Sequence, residues 1–199
     1  MTRNKLAARM PARRVLRLAF VCAAALLAAG LLSACGKTHP ADEPVREGLS
    51  VKLGGLHYTV FLTRQLNIKN EEDSGYLPGM EEAAPGRGLY GVFLQACNTG
   101  HSDADSTDRF TIVDSQGEKF EPTALDQTNP FAYHAGVVPP HNCEPPRGSL
   151  AQLGPTSGAL LLFNLPLAAT ENRPLELHIQ GGFNAEKGKP DEAVVTLDI

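Results

Sequence analysis

The stretch Leu56–Thr63 reads Leu-His-Tyr-Thr-Val-Phe-Leu-Thr, and it sets the fold class. Large apolar residues lie at every second position, at Leu56, Tyr58, Val60 and Leu62. A period of two is that of a β-strand, whereas a helix repeats about every 3.6 residues. Gly54-Gly55 precede the stretch and suit a tight turn from a short strand at 50–53, because glycine adopts positive φ at little cost. The pattern predicts a β-hairpin.

Strand patterns continue along the rest of the chain. Near-continuous apolar runs at 89–97 and 158–166 are typical of strands covered on both faces. Asp114–Gly117 is a turn sequence between 110–113 and 119–121, which predicts a second hairpin. With further strands at 175–179 and 193–197, the seven or eight strands predict an all-β, antiparallel β-sandwich. One-turn helices are expected only around Thr123 and Ala168.

Two long segments have no clear period. Residues 66–87 are polar and rich in glycine and proline, and residues 122–148 contain six prolines. Both are predicted to be loops, the second an ordered excursion fixed by Cys143. Loops on a rigid scaffold commonly carry recognition.

The first 34 residues have the features of an export signal. Residues 1–17 hold six basic residues and no acidic one, and residues 18–32 carry no charge. This run is short for a transmembrane helix, which needs about 20 apolar residues. Removal of residues 1–34 would take six cationic side chains and change the formal net charge from −4 to about −10. An acidic body makes nucleic acid an unexpected partner.

Leu32-Ser33-Ala34-Cys35 resembles the bacterial lipobox. The resemblance implies cleavage before Cys35, a lipid on its thiol and anchorage to the cell membrane or envelope. Two alternatives stay open, an uncleaved anchor and ordinary cleavage after Ala34. The predicted organisation is a signal peptide at 1–34, a lipidated cysteine and flexible tether at 35–48, and one sandwich domain at 49–199.

The remaining cysteines form an even pair. With Cys22 removed and Cys35 lipidated, Cys97 and Cys143 would remain in an oxidising compartment. A Cys97–Cys143 disulfide is therefore predicted, and two buried reduced thiols are the alternative.

Several segments together resemble a bacterial family. They are Leu53–Val60, the strand that ends at Asn98-Thr99-Gly100, Phe110–Gly117 and Leu161–Pro166. This pattern is similar to the immunoprotective extracellular immunoglobulin-like superfamily, which is common in envelope lipoproteins. The resemblance implies an immunoglobulin-like sandwich and no agreed activity. The two long loops, the cysteine pair and the absence of tryptophan depart from it.

Motifs for chemistry are few. The sequence contains no Gly-x-Ser-x-Gly elbow, Ser-x-x-Lys or phosphate loop, so no catalytic residue and no cofactor are predicted. Asp103, Asp105 and Thr107 alternate as calcium ligands could, but the EF-hand glycine and glutamate are missing. The acidic residues at 71–73, with Glu81 and Glu82, are expected to form a solvated charge cluster on a mobile loop.

Histidines supply the other candidate site. His134, His141 and Cys143, with His101 and Met80 more distant, are candidate copper or zinc ligands. No metal site is predicted, because a disulfide at Cys143 would compete for that ligand.

The expected function is that of a non-enzymatic envelope lipoprotein. It would bind the membrane through Cys35, and it would bind or scaffold an envelope protein through loops 66–87 and 122–148. The alternative is a metal-handling lipoprotein, for calcium, copper or zinc, or an enzyme-accessory one.

Overall fold

The structure is a computed structural model that describes residues 39–40 and 44–199. The predicted signal peptide and the lipidation site Cys35 lie outside the described residues. Within the described part of the chain, no helix is both long and apolar enough to cross a membrane.

One sheet is built around a long central strand. It contains β1 (His39–Pro40), β3 (Ser50–Leu53), β4 (Leu56–Leu66) and β5 (Arg87–Asn98), in that spatial order. The far edge of β5 pairs with β10 (Cys143–Glu144) and with β11 (Ala159–Pro166), both antiparallel. We call this the β5 sheet. The predicted hairpin at 50–63 and the two runs covered on both faces are confirmed.

The second sheet has the order β2-β13-β12-β7-β8. Its strands are β2 (Val45–Arg46), β7 (Phe110–Val113), β8 (Lys119–Phe120), β12 (Leu175–Asn184) and β13 (Lys189–Leu197). We call it the β12 sheet. β7 and β8 form the hairpin predicted around Asp114–Gly117. A small ribbon pairs β6 (Ala104–Asp105) with β9 (Val137–Val138).

The main core lies between the two sheets. Even-numbered residues of β5 pack against the inward-facing residues of β12 and β13. Examples that are fully buried are Val92 and Leu94 of β5, Leu177 of β12 and Val195 of β13. The fold is therefore an antiparallel β-sandwich, as predicted. Seven of its described strands are four residues or longer.

A second, smaller core covers the outer face of the β5 sheet. Tyr76 and Leu77 from the loop after β4 pack on Phe93 and Leu162, and Phe131 meets the Tyr76 ring at a centroid distance of 4.6 Å. The predicted loops 66–87 and 122–148 are therefore folded against the sheet and form a third layer over part of it.

Short helices lie between the strands, the first in the loop at 66–87 and the others after residue 148. They are α1 (Glu71–Ser74), α2 (Leu150–Leu153) and a 3₁₀ helix (Leu167–Glu171). The 3₁₀ helix confirms the turn expected near Ala168. The helix expected near Thr123 was wrong, because the Thr123 N–H donates to the Leu162 carbonyl and bridges to β11.

The ordered domain begins before the predicted boundary at residue 49. Residues 45–46 were predicted as flexible tether, but they pair in parallel with β13, and Val45 is 3% exposed in the main core. The backbone of β1 likewise pairs with β3. Backbone hydrogen bonding and burial of one valine outweigh the polar composition around them.

Candidate functional site

An open groove lies on the outer face of the β5 sheet, beside the second core. It encloses about 510 Å³, which is within the range of small ligand sites. Its floor is Phe61, Leu62 and Gln95, and its walls are Pro145, Gln152 and the segment 155–158. We call it the Phe61 groove.

A β-bulge exposes the two large apolar residues of the floor. Val60 pairs with Leu94 and Leu62 pairs with Phe93, so Phe61 is an extra residue without a partner in the ladder. The bulge shifts the alternation of β4 by one position. As a result, Phe61 is 41% exposed and Leu62 is 39% exposed in the middle of a strand whose flanking residues are buried.

The opposite wall is held close to the sheet by a glycine. Gly158 has a φ of +115°, and a Cβ added there would lie 2.9 Å from the Leu94 nitrogen. Ser149 begins α2, since its side chain accepts a hydrogen bond from the Gln152 N–H. The Tyr76 hydroxyl accepts a hydrogen bond from the Thr156 N–H at 2.9 Å. The wall is thus fixed to both the sheet and the second core.

The lining of the groove is uncharged. Its apolar surface comes from an aromatic ring, a leucine and two prolines, and its polar groups are two glutamine amides and the hydroxyls of Thr156 and Ser157. Such a surface suits a ligand with apolar groups and neutral hydrogen-bonding groups, and it offers no ion pair to a charged one.

A polar cluster lies at one end of the main core. The Tyr58 hydroxyl accepts a hydrogen bond from the Thr107 N–H, and the Tyr133 hydroxyl donates to the Thr107 carbonyl. Burial raises the pKa of Tyr58 and of Tyr133. Burial also raises the pKa of Glu144, although a hydrogen bond from the His134 N–H and the nearby His134 ring oppose the shift.

The Cys97–Cys143 disulfide is confirmed. The two cysteines are directly opposite each other on β5 and β10, with a Cα–Cα distance of 4.0 Å. Both are partly exposed. Cys143 is therefore not a thiolate. It cannot act as the thiolate ligand of the candidate metal site with His134 and His141.

The other candidate ligands are used in local structure or exposed. The Thr107 hydroxyl donates to the Gln180 carbonyl and accepts from the Arg109 N–H, while Asp103 and Asp105 are exposed. Across the residues that the structure describes, no three His, Cys, Asp or Glu side chains form a metal-binding group.

The acidic cluster at 71–73 is not uniformly solvated. Asp73 is 6% exposed, and its Oδ1 lies 2.6 Å from Nη1 of Arg64. The expectation of a solvated cluster on a mobile loop was therefore wrong for Asp73, because the Arg64 guanidinium and the Asn67 N–H stabilise its buried carboxylate.

The comparisons with known proteins identify no family. No family model matches the chain, and no curated protein matches it. Among solved structures, it is similar to the yjhA protein of Bacillus subtilis, with 12% identity and a TM-score of 0.49 over 77% of this chain and 99% of that one.

Two further bacterial structures are similar to the chain. A proposed lipoprotein of Bacillus subtilis, ycdA, shares 9% identity with a TM-score of 0.46, over 74% of this chain and 38% of that one. An uncharacterized β-sandwich protein of Clostridium difficile shares 16% identity with a TM-score of 0.44, over 82% of this chain and 96% of that one.

The Phe61 groove was not predicted from the sequence. One signal was present, since Phe61-Leu62 places two bulky apolar residues in succession within an alternating strand. The other wall, at 145 and 152–158, is distant in sequence, and no local pattern connects it to β4.

Proposed function

We propose that this chain is an exported, lipid-anchored protein of the bacterial envelope that binds an uncharged, partly apolar segment of another envelope protein. The ligand would lie in the Phe61 groove. The protein would act as a binding or scaffold module without catalysis. From the sequence, loops 66–87 and 122–148 were expected to bind the partner. The proposal places binding in the Phe61 groove, to which the second loop contributes Pro145.

Sequence features support the location. A basic leader, an uncharged run and the lipobox-like Leu32–Cys35 precede the folded domain. Because the remaining body is acidic, it would be repelled by anionic headgroups, and the acyl chains would have to supply membrane affinity. The neighbour order β13-β12-β7-β8 matches that of the G, F, C and C′ strands in immunoglobulin domains, which supports membership of the resembled superfamily.

The exposure of Phe61 and Leu62 is the observation that carries the binding proposal. Both are large apolar residues on a strand of a well-packed sheet, and they face an open, uncharged groove. Exposed apolar residues grouped in a concave site are typical of ligand-binding surfaces. A fixed wall means that the groove exists before a partner binds, which lowers the entropic cost of binding.

Site-specific photocrosslinking tests this proposal. A photoreactive phenylalanine analogue replaces Phe61 in the full chain, expressed in cells of a bacterium that exports it. Irradiation should give a discrete crosslinked product with an envelope protein. The variant Leu62→Ser should reduce the yield of this product by at least fivefold, because it removes part of the apolar floor.

Phe183 provides a matched control. It is also an exposed phenylalanine in a strand, at 72% exposure, but it lies on β12 in the other sheet. The analogue at Phe183 should not give the same product. Identical products from both positions, or no product from Phe61, would contradict binding in the groove.

A further inference from the structure

Two exposed histidines lie side by side although 40 residues separate them in the sequence. The ring centroids of His101 and His141 are 5.6 Å apart, and the planes meet at 75°. His101 follows β5, and His141 precedes β10. The paired ends of these two strands therefore bring the rings together.

The buried Asn98 holds both histidine-bearing segments. Its side-chain amide donates to the carbonyls of Ser102 and Val138, each at 2.8 Å, and its Oδ1 accepts from the Gly100 N–H. Its backbone N–H donates to the Asn142 carbonyl at 2.8 Å. One residue thus fixes the backbone next to His101 and the backbone next to His141.

The disulfide adds a covalent restraint beside the pair. Cys143 lies two residues after His141 and is bonded to Cys97, which precedes Asn98. The backbone that carries the two rings is therefore held in place. Binding of a ligand would then cost little conformational entropy.

His141 has an unusual backbone conformation. Its φ is 59°, and it is the one non-glycine residue with a positive φ among those the structure describes. This conformation costs a non-glycine residue about 1 kcal/mol or more, and such outliers concentrate at functional sites. A glycine would fit here without strain, yet the chain places an imidazole there.

We infer that His101 and His141 form a binding site for a divalent transition metal ion of the zinc and copper(II) class. Imidazole nitrogens are good ligands for both ions, at about 2.0–2.1 Å for zinc. Two imidazoles that share one ion place their ring centroids about 5–6 Å apart at near-tetrahedral angles, by these bond lengths. The observed 5.6 Å fits this separation.

Two protein ligands would leave the ion with open positions for water or a further ligand. Such a site binds a metal exchangeably, unlike a closed four-ligand structural site. This inference is independent of the Phe61 groove. Of the candidate ligands considered from the sequence it keeps His101 and His141, and it uses neither His134, Met80 nor the disulfide-bonded Cys143.

Zinc titration of histidine variants tests the pair. The full chain, purified in detergent, is titrated with Zn²⁺ against a chromogenic zinc indicator. We expect one zinc per chain at micromolar affinity, and at least a tenfold loss of affinity in His101→Asn and in His141→Asn. Asparagine suits the second position because it tolerates positive φ. Since both side chains are exposed, the metal-free melting temperatures should stay unchanged.

His134→Asn is the matched control, because His134 is another exposed histidine of the same connection. It should retain zinc affinity within about threefold. Copper(II) bound to the wild type should show two imidazole nitrogens in its electron paramagnetic resonance spectrum, and His101→Asn should show one. The inference is overturned if the wild type binds no zinc, if either variant keeps full affinity, or if His134→Asn loses as much.

Discussion

At the scale of single residues, Asn98 joins segments that are far apart in the sequence. It is the last residue of β5 and is 2% exposed. Its side-chain amide forms hydrogen bonds with the carbonyls of Ser102 and Val138 and with the Gly100 N–H. In the sequence, Asn98-Thr99-Gly100 predicts a turn and nothing more. Local sequence could not show that the side chain reaches the carbonyl of Val138, because that contact depends on the pairing of β5 with β10.

We expect Asn98→Ala to destabilise the protein by about 3 kcal/mol, because it leaves the buried Val138 carbonyl and the partly buried Ser102 carbonyl without a donor. Urea unfolding measures the change. Asn142→Ala is the control, since the Asn142 amide donates to the Pro140 carbonyl at an exposed position, and its loss should cost under about 0.5 kcal/mol. Equal losses from the two variants would refute the role given to Asn98.

We expect Glu144 to make the stability of the fold depend on pH. Because burial raises its pKa, the folded state keeps this proton to a higher pH than the unfolded state does. Its favourable contribution is therefore complete at low pH and is lost as pH rises through the folded pKa.

Glu144→Gln should remove this loss, because glutamine stays neutral. The melting temperature of the variant minus that of the wild type should increase as the pH is raised from about 4 to about 7. Glu118→Gln, which changes an exposed glutamate, serves as the control. A difference that is flat or falls with pH would show that the carboxyl of Glu144 is not destabilised by burial.

At the scale of elements, β4 shows how far a sequence pattern can be trusted. The alternation of Leu56, Tyr58 and Val60 predicted a half-buried strand, and these residues do face the main core. The bulge at Phe61 could not be predicted, because Phe61 and Leu62 are both apolar and either phase of the alternation is compatible with them. The groove follows from this one extra residue.

The connection after β4 was predicted as a loop, and its helix α1 was missed. Four residues are too few to show a helical period, and α1 depends on Asn70, whose side chain accepts from the N–H groups of Glu72 and Asp73. Tertiary contacts also stabilise α1. Arg64 of β4 forms an ion pair with Asp73, and its guanidinium lies 5.8 Å from the centroid of the Tyr76 ring.

Arg64→Ala should destabilise the protein by about 2–3 kcal/mol, because it leaves the buried Asp73 carboxylate without its cation. Lys69→Ala breaks the ion pair with Glu82, whose partners are 70% and 63% exposed, and it should change stability by under about 0.5 kcal/mol. Unfolding in urea compares them. The role of Arg64 fails if its replacement costs no more than that of Lys69.

At the scale of the whole molecule, the sandwich and its disulfide were predictable, whereas the outer layer was not. The period of two along the strands predicted the sandwich. The even pair of cysteines left after the lipobox-like Leu32–Cys35 predicted the disulfide. Tyr76 packs on Phe93 and Phe131 packs on Tyr76, so these contacts join segments far apart in sequence. The sequence pattern therefore predicted only a long loop at 66–87 and an ordered excursion at 122–148.

The disulfide should contribute to the stability of the whole sandwich. It closes a loop of 46 residues, which corresponds to about 4 kcal/mol in the chain-entropy model. Reduced protein should unfold at a clearly lower urea concentration than oxidised protein, and the double variant Cys97→Ala/Cys143→Ala should not respond to reductant. Coincident curves for reduced and oxidised wild type would contradict this contribution.

Intact mass spectrometry of the protein extracted from bacterial membranes tests the central proposal of a lipid-anchored, exported sandwich most directly. The proposal predicts a chain that begins at Cys35, carries the added mass of acyl chains on that residue, and lacks two hydrogens across Cys97 and Cys143. A chain that still begins at Met1, with an unmodified Cys35, would contradict it.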